Sequence, residues 1–588
     1  MKVSPPQKLS ILLASLIKNS NSDPIIVSDD GSWVHCRALM CSCREDVKSV
    51  ECDHKELAEI PLGIPVDVGQ LSLQGTKFGK IPEQAFKDYP DLFSLILSKG
   101  QLTSINNQSF IGLSNLETLD LSMNKFTTLG EPPDAVSACI EKDVEDRHRH
   151  ANSNNNFHSD INEKTLTQCK IPDTTFEYLT GLRELYLGFN NIHCISGQVF
   201  SVIGSKLLEL HLEHNDITKI EEPVFKYLVS LERLDLSGNH LEYISSNGFE
   251  NLGRLKELLL YNNRLSWISS GAFKDFTQLT YLKADKNNFA HIRDLQLSYL
   301  PSLEIADLQN NNLISIEESS FAYNKMLQKL FLADNNIADI EPHSFISNRK
   351  ISYIDLRRNQ LNYISQHVFD GLESIKFLLL DSNRLVTIDQ KAFFSLSRLI
   401  SLSVSQNLIV KLHGNTFTNL KKLQYLNLGD NKLMVPEKDW FNISNPTKVF
   451  SSTTAFVLSG NNWRCDCSMF KFKQWANETR KKEGKYKRQI DEQLKTLSCK
   501  TPYYLKDKNI RDVPLEAFEC NTRSHVQHTV EDYKPLISFS VLLTMIIVCM
   551  YKFIKYQCQN RFNKLSAKQI HDAFNSSNPL DLDKHKQI

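Results

Sequence analysis

Asparagine recurs every 24 residues through the middle of this chain, at Asn239, Asn263, Asn287, Asn311, Asn335, Asn359, Asn383, Asn407 and Asn431. Apolar residues stand eight, five and three positions before each marker, as Leu231, Leu234 and Leu236 do before Asn239. Ten positions after it comes an aromatic: Phe249, Phe273, Phe321, Phe345, Phe369, Phe393, Phe417 and Phe441, with Leu297 as the one substitution. Asn215 with Phe225, Asn190 with Phe200, Asn124, Gly100 with Phe110 and Thr76 with Phe86 extend the series backwards to fourteen units. A unit this short cannot bury its own apolar face, so neighbours must stack into a continuous core.

The pattern L-x-x-L-x-L-x-x-N predicts a short strand whose leucines point inward while alternate residues face out, followed by a turn at the asparagine. Stacked strands form a parallel sheet, and the phenylalanines line the far side of the core. The expected fold is an α/β-type solenoid, a curved horseshoe with the sheet on its concave face. All of these residues serve the scaffold. The 588 residues exceed what one compact core accommodates, as a repeat array requires. Lys plus Arg and Asp plus Glu balance at 68 each, which argues against a nucleic-acid binder. The stretch Gly75 to Lys80 has one residue too few between its glycines for a phosphate loop, with Ile81 where Ser or Thr belongs. H-E-x-x-H and G-x-S-x-G are absent. No enzyme and no cofactor are expected.

From about Cys36 to Cys520 the sequence resembles the extracellular leucine-rich-repeat family of Toll-like receptors, Slit-type proteins and neuronal leucine-rich-repeat transmembrane proteins. Cys36, Cys41, Cys43 and Cys52 are similar to that family's N-terminal cysteine cap, and Asn461 to Cys467 with Cys499 and Cys520 to its C-terminal one. The resemblance implies the pairs Cys36 with Cys43, Cys41 with Cys52, Cys465 with Cys499 and Cys467 with Cys520. Caps of this kind close the exposed sheet edges. The expected order is a signal peptide at 1–22, a cap at 36–66, repeats at 67–460, a second cap at 461–520, a juxtamembrane linker at 521–535, a transmembrane helix at 536–554 and a cytosolic tail at 555–588.

The ends of the chain supply the topology. Lys2 and Lys8 precede the apolar run Leu9 to Ile17, in the manner of a secretory leader. Leu536 to Ile554 is apolar apart from Lys552 and approaches the ~20 residues a bilayer needs. Lys552, Lys555, Arg561, Lys564 and Lys568 follow, and this positive side places the tail in the cytosol and makes the protein type I. Asn107, Asn442 and Asn477 head glycosylation sequons on the outer side. The 37 residues from Lys552 are too few for the Toll-like cytosolic domain, which needs more than about 100. Signalling would therefore require a co-receptor or adaptor. Lys584 and Lys586 resemble a dilysine retrieval signal, which leaves residence in the endoplasmic reticulum as the alternative to the plasma membrane. Cys549 and Cys558 are candidate palmitoylation sites.

Two stretches depart from the period. Between Asn124 and Asn190 the step is 66 residues, an insertion at about 130–171. Cys169 and Cys194 occupy nearly equivalent positions on adjacent units and are expected to pair, with Cys139 as competitor for Cys169. Arg480 to Arg488 carries six basic residues, either a polyanion site or a solvated loop. The ligand surface is expected on the sheet's outward positions, six, four and two residues before each marker. Its candidates are His211 and Glu213, Arg233 and Asp235, Leu259 and Tyr261, Tyr281 and Lys283, Phe331, Tyr353 and Arg357, and Phe377. Aromatics and Arg among charges are the composition of a protein-binding hot spot, and the expected partner is an extracellular or cell-surface protein. The expected function is a cell-surface receptor or adhesion protein, the alternative a non-signalling co-receptor, decoy or secretory-pathway accessory protein.

Overall fold

The structure is a computed structural model that describes Trp33 and residues 41–54, 57–106, 108–127, 174–193, 195, 198–220, 224–441, 455–481 and 494–518. The proposed leader, insertion, membrane segment and tail, with Cys36, Cys139, Cys169, Cys194, Cys520, Asn107 and Asn442, lie outside these residues. No helix among the described residues is long and apolar enough to cross a membrane.

Each repeat opens with a three-residue strand. In Glu257–Leu259, for example, Leu258 is fully buried and stands in parallel register with Leu234 before it and Leu282 after it. The same pairing runs from Ser49–Glu51 to Ala455–Val457, and an antiparallel strand, Ser42–Arg44, closes the first edge. Seventeen strands form this sheet among the described residues. Thr118–Asp120 pairs directly with Glu184–Tyr186, so the insertion does not interrupt the ladder. Cys41 and Cys52, 4.5 Å apart at Cα, are joined by a disulfide beside the first edge.

The strands end because the residue before each marker turns left-handed. Asn262, Lys286, Asn310, Asp334, Arg358, Ser382, Gln406 and Asp430 all have φ between 51 and 58°. This conformation costs a non-glycine residue roughly 1–2 kcal/mol. The buried asparagine that follows holds it. Asn359 Nδ2 donates to Leu356 O at 3.2 Å in its own coil and to Leu332 O at 2.9 Å in the preceding one, while its Oδ1 accepts Ile337 N at 3.0 Å. Asn239, Asn263, Asn287 and the rest repeat this arrangement.

The return path corrects the α/β expectation. Among the described residues of the array it consists of turns, short 3-10 segments and two-residue parallel bridges such as Tyr243–Ile244 with Trp267–Ile268. The one described α-helix long enough to bound, Phe470–Lys481, follows the last strand. Spacing gives the reason. Phe249, Leu252 and Leu255 are fully buried and three apart, a period that three-residue turns keep on one side and a helix of 3.6 residues per turn does not. The phenylalanines stack coil upon coil, with centroids 6.1 Å apart for Phe225–Phe249 and 5.9 Å for Phe321–Phe345. At the end of the series Trp440 meets Phe417 edge-on.

The described chain divides into two units. The larger, within Met1–Arg464 and Lys471–Val513, contains the repeats. There Lys473 is buried, and its Nζ donates to Ile510 O and Arg511 O at 2.6 and 2.9 Å. The smaller lies within Cys465–Phe470 and Pro514–Ile588. In it Asp466 caps the turn Cys467–Met469 by accepting Ser468 N at 3.0 Å. Cys43, Cys465, Cys467 and Cys499 are all disulfide-bonded.

Candidate functional site

Alternation along each strand leaves the positions six, four and two before the marker on the open face of the sheet, and parallel register lines them up across coils. Three patches result.

The first surrounds His211, which ends the strand Glu209–His211 and stacks on Tyr186 at 4.4 Å. Its Nε2 lies 3.3 Å from Glu209 Oε2 and its Nδ1 3.6 Å from Glu213 Oε2. Asp235 stands beside it in register. A neutral imidazole can donate from one nitrogen only, and here both face carboxylates. Burial, the largest influence, pulls the His211 pKa down, but Glu213, Glu209 and Asp235 outweigh it and hold the imidazolium above its ordinary 6.5. Burial likewise opposes ionisation of Glu213, yet His211 carries its pKa below the usual value. Gly188 makes room for this carboxylate, since a Cβ there would stand 2.2 Å from Glu213 Oε1. Burial and the nearby Glu184 and Glu209 push the Tyr186 hydroxyl up to about 12.

The second patch is charged with aromatic edges. Arg233 pairs with Glu257 across the strands. Lys283 Nζ sits 2.6 Å from Asp285, 3.4 Å from Asp307 and 4.6 Å from the centre of the Tyr261 ring. Burial works against the charge on Lys283, and the two aspartates more than offset it. Tyr281 is half-buried, and burial raises its pKa. The third patch is an aromatic row across adjacent coils, Phe331 to Tyr353 at 5.1 Å and Tyr353 to Phe377 at 6.2 Å. Arg357 closes on Asp355, with Nη2 2.6 Å from Oδ2.

The structure thus brings His211 and Glu213 together, sets Arg233, Tyr261, Tyr281 and Lys283 around one charged cluster, and aligns Phe331, Tyr353 and Phe377. Two candidates sit deeper. Asp235 is 6% and Leu259 5% exposed, and Asp235 Oδ1 is occupied by Ser237 N at 2.9 Å. Sequence reasoning missed Glu184 and Tyr186, although they precede Asn190 by the same six and four positions. It also passed over His343, His367 and Asp370, where the signal is two histidines two positions before consecutive phenylalanines. Of the basic run, Arg480 and Lys481 close the helix Phe470–Lys481, and 482–488 lie outside the described residues. Asn477 is half-buried on that helix.

A parallel solenoid with a buried asparagine ladder and a charged, aromatic open face defines a repeat scaffold built for surface recognition. The chain belongs to the leucine-rich repeat family, whose profile matches residues 68–126, 182–241, 205–265, 277–337, 325–385 and 378–433, just over half of its length. A second leucine-rich repeat profile matches 115–139. Lumican of Homo sapiens is 34% identical over 207 residues, 34% of this chain and 58% of lumican. Trophoblast glycoprotein of Macaca fascicularis is 29% identical over 220 residues, 34% of this chain and 49% of that protein. The chain therefore spans about half the length of these curated relatives. Among solved structures, the Drosophila Toll–Spatzle complex contains a chain with TM-score 0.55 at 18% identity, covering 79% of this chain and 54% of that one. A Leptospira interrogans leucine-rich-repeat protein gives 0.54 at 21%, covering 71% and 91%. Both share the fold.

Proposed function

We propose that this protein is a single-pass type I cell-surface receptor or adhesion protein that binds a protein ligand on the open face of its sheet. The observation that carries the reading is the aromatic row Phe331, Tyr353 and Phe377, whose last ring is 40% exposed, next to the Tyr261, Tyr281 and Lys283 cluster. Rings held against one another across adjacent coils lose little entropy on binding, and a few such residues supply most of an interface's energy, about 2 kcal/mol or more each. Toll, a structural neighbour, is described in complex with the protein Spatzle, which supports a protein ligand here. The apolar run Leu536 to Ile554 and the basic residues after it support the membrane topology.

The test uses the full chain displayed on living cells with a photo-crosslinking amino acid at Tyr353 or Phe377 and, as control, at Ser401. The expected outcome is a discrete adduct with another cell-surface or extracellular protein from the first two positions and none from the third. Adducts of equal yield from all three, or from none, would remove the open face from consideration.

A further inference from the structure

Away from the sheet, where the chain starts its return path, His343 and His367 stand two positions before Phe345 and Phe369 in consecutive coils. Asp370 follows the second phenylalanine. His343 Nδ1 lies 3.5 Å from Asp370 Oδ2 and His367 Nδ1 2.9 Å from the same oxygen, and the imidazole rings are 5.1 Å apart. All three ligand atoms lie within 4.8 Å of one another. Metal–nitrogen bonds of about 2.0–2.1 Å make a tetrahedron with edges of about 3.3–3.4 Å, a value the two measured separations bracket. We propose that His343, His367 and Asp370 form a binding site for a divalent transition-metal ion of the zinc class.

The donor set selects the ion. Two imidazoles and one carboxylate suit Zn²⁺ and its neighbours, whereas Ca²⁺ requires six or more oxygens. Each histidine coordinates through Nδ1 and carries its proton on Nε2. Three protein ligands leave a fourth position for water or for a side chain of a partner.

The backbone holds the set in place. His343 adopts a left-handed φ of 63°, and its N–H donates to His367 O at 3.0 Å, which ties the two coils at the site. Gly371, with φ of 90°, draws the segment after Asp370 against the preceding coil, where a Cβ would meet Phe345 O at 2.4 Å. The same frame occurs again among the described residues of the array. Gln84 has φ of 55° and donates to Gln108 O at 3.0 Å, and Gly112 has φ of 94°. There the three side-chain positions hold Gln84, Gln108 and Ile111. The frame therefore belongs to the fold, and the metal-binding side chains at the later copy are an addition that folding does not require. The cluster of His211, Glu213 and Asp235 is the weaker set, with one imidazole and with Asp235 Oδ1 held by Ser237.

The untagged full chain in detergent, stripped with a chelator, would be titrated with ZnCl2 against a chromogenic chelator of known affinity, and separately with CoCl2. The expected result is one equivalent of Zn²⁺ unaffected by excess Ca²⁺ and visible absorption of tetrahedral cobalt. His343→Gln, His367→Gln and Asp370→Asn should each weaken binding by at least about 10-fold, with unchanged circular dichroism. His211→Gln should leave it intact. Absence of stoichiometric Zn²⁺ binding, binding that survives the triple variant, or binding lost in His211→Gln would overturn the proposal.

Discussion

At the scale of single residues, the ladder asparagines and the open-face histidine His211 give opposite lessons. Asn359 answers four backbone groups with one amide, and it shares Leu332 O with the Asn335 amide and Leu356 O with the Asn383 amide. Asn359→Ala should destabilise the coils around it by about 1–3 kcal/mol, because the Ile337 N–H loses its acceptor and Leu332 O and Leu356 O each lose one of two amide donors. Chemical denaturation checks this against Asn336→Ala, an exposed neighbour expected to change little. The ladder was legible because its chemistry repeats every 24 residues. The left-handed turn before it was not, since Lys286, Arg358 and Gln406 carry no turn signature of their own. His211 gives a pH prediction. Its raised pKa means that the contribution of its ion pairs is fully present below the unfolded value of about 6.5 and is lost as pH rises through the folded one. The depressed pKa of Glu213 means that its share is present above about 4.5 and is lost as pH falls through the folded value. Thermal unfolding of the wild type and of His211→Gln should therefore differ most between about pH 4.5 and 6.5 and converge in alkali; a gap that widened above pH 8 would contradict this.

At the scale of elements, the strand and the phenylalanine spine were readable, whereas the conformation of the return path was not. Apolar positions in the motif report what is buried, and Phe249, Leu252 and Leu255 suit either an imperfect helix or successive three-residue turns. Tertiary stacking made the choice. Departures within the spine are local: Leu297 replaces one ring, and buried Asn324 and Asn348 take the place that Leu252 and Leu372 fill elsewhere, their amides donating to carbonyls of the preceding coil. Phe345, packed against Phe321, lies beside this polar stretch. Phe345→Ala should cost about 3–5 kcal/mol, and hydrogen exchange should rise in the coils of Asn335 and Asn359 while those of Asn215 and Asn239 keep their protection. Uniform loss along the array would show that the spine acts as one cooperative unit instead.

At the scale of the whole molecule, stability in a stacked array is the sum of each coil and its neighbours, so damage at an end should fray inward. The disulfide between Cys41 and Cys52 sits where the sheet begins. The double replacement by serine should weaken this end by about 2–4 kcal/mol. Exchange mass spectrometry is expected to find faster exchange in the strands Ser49–Glu51, Gln70–Ser72 and Ser94–Ile96 and no change beyond Asn239. Equal deprotection at Tyr425–Asn427 would refute a local role.

The asparagine ladder also has a direction. Every rung reaches from its own coil to the one before it, as Asn263 does to Leu236 O and Asn287 to Leu260 O, and not to the one that follows. A ribosome delivers the chain in that same order. Each newly translated asparagine thus finds its carbonyl acceptor already in place, and the array can set coil by coil during synthesis without waiting for its far end.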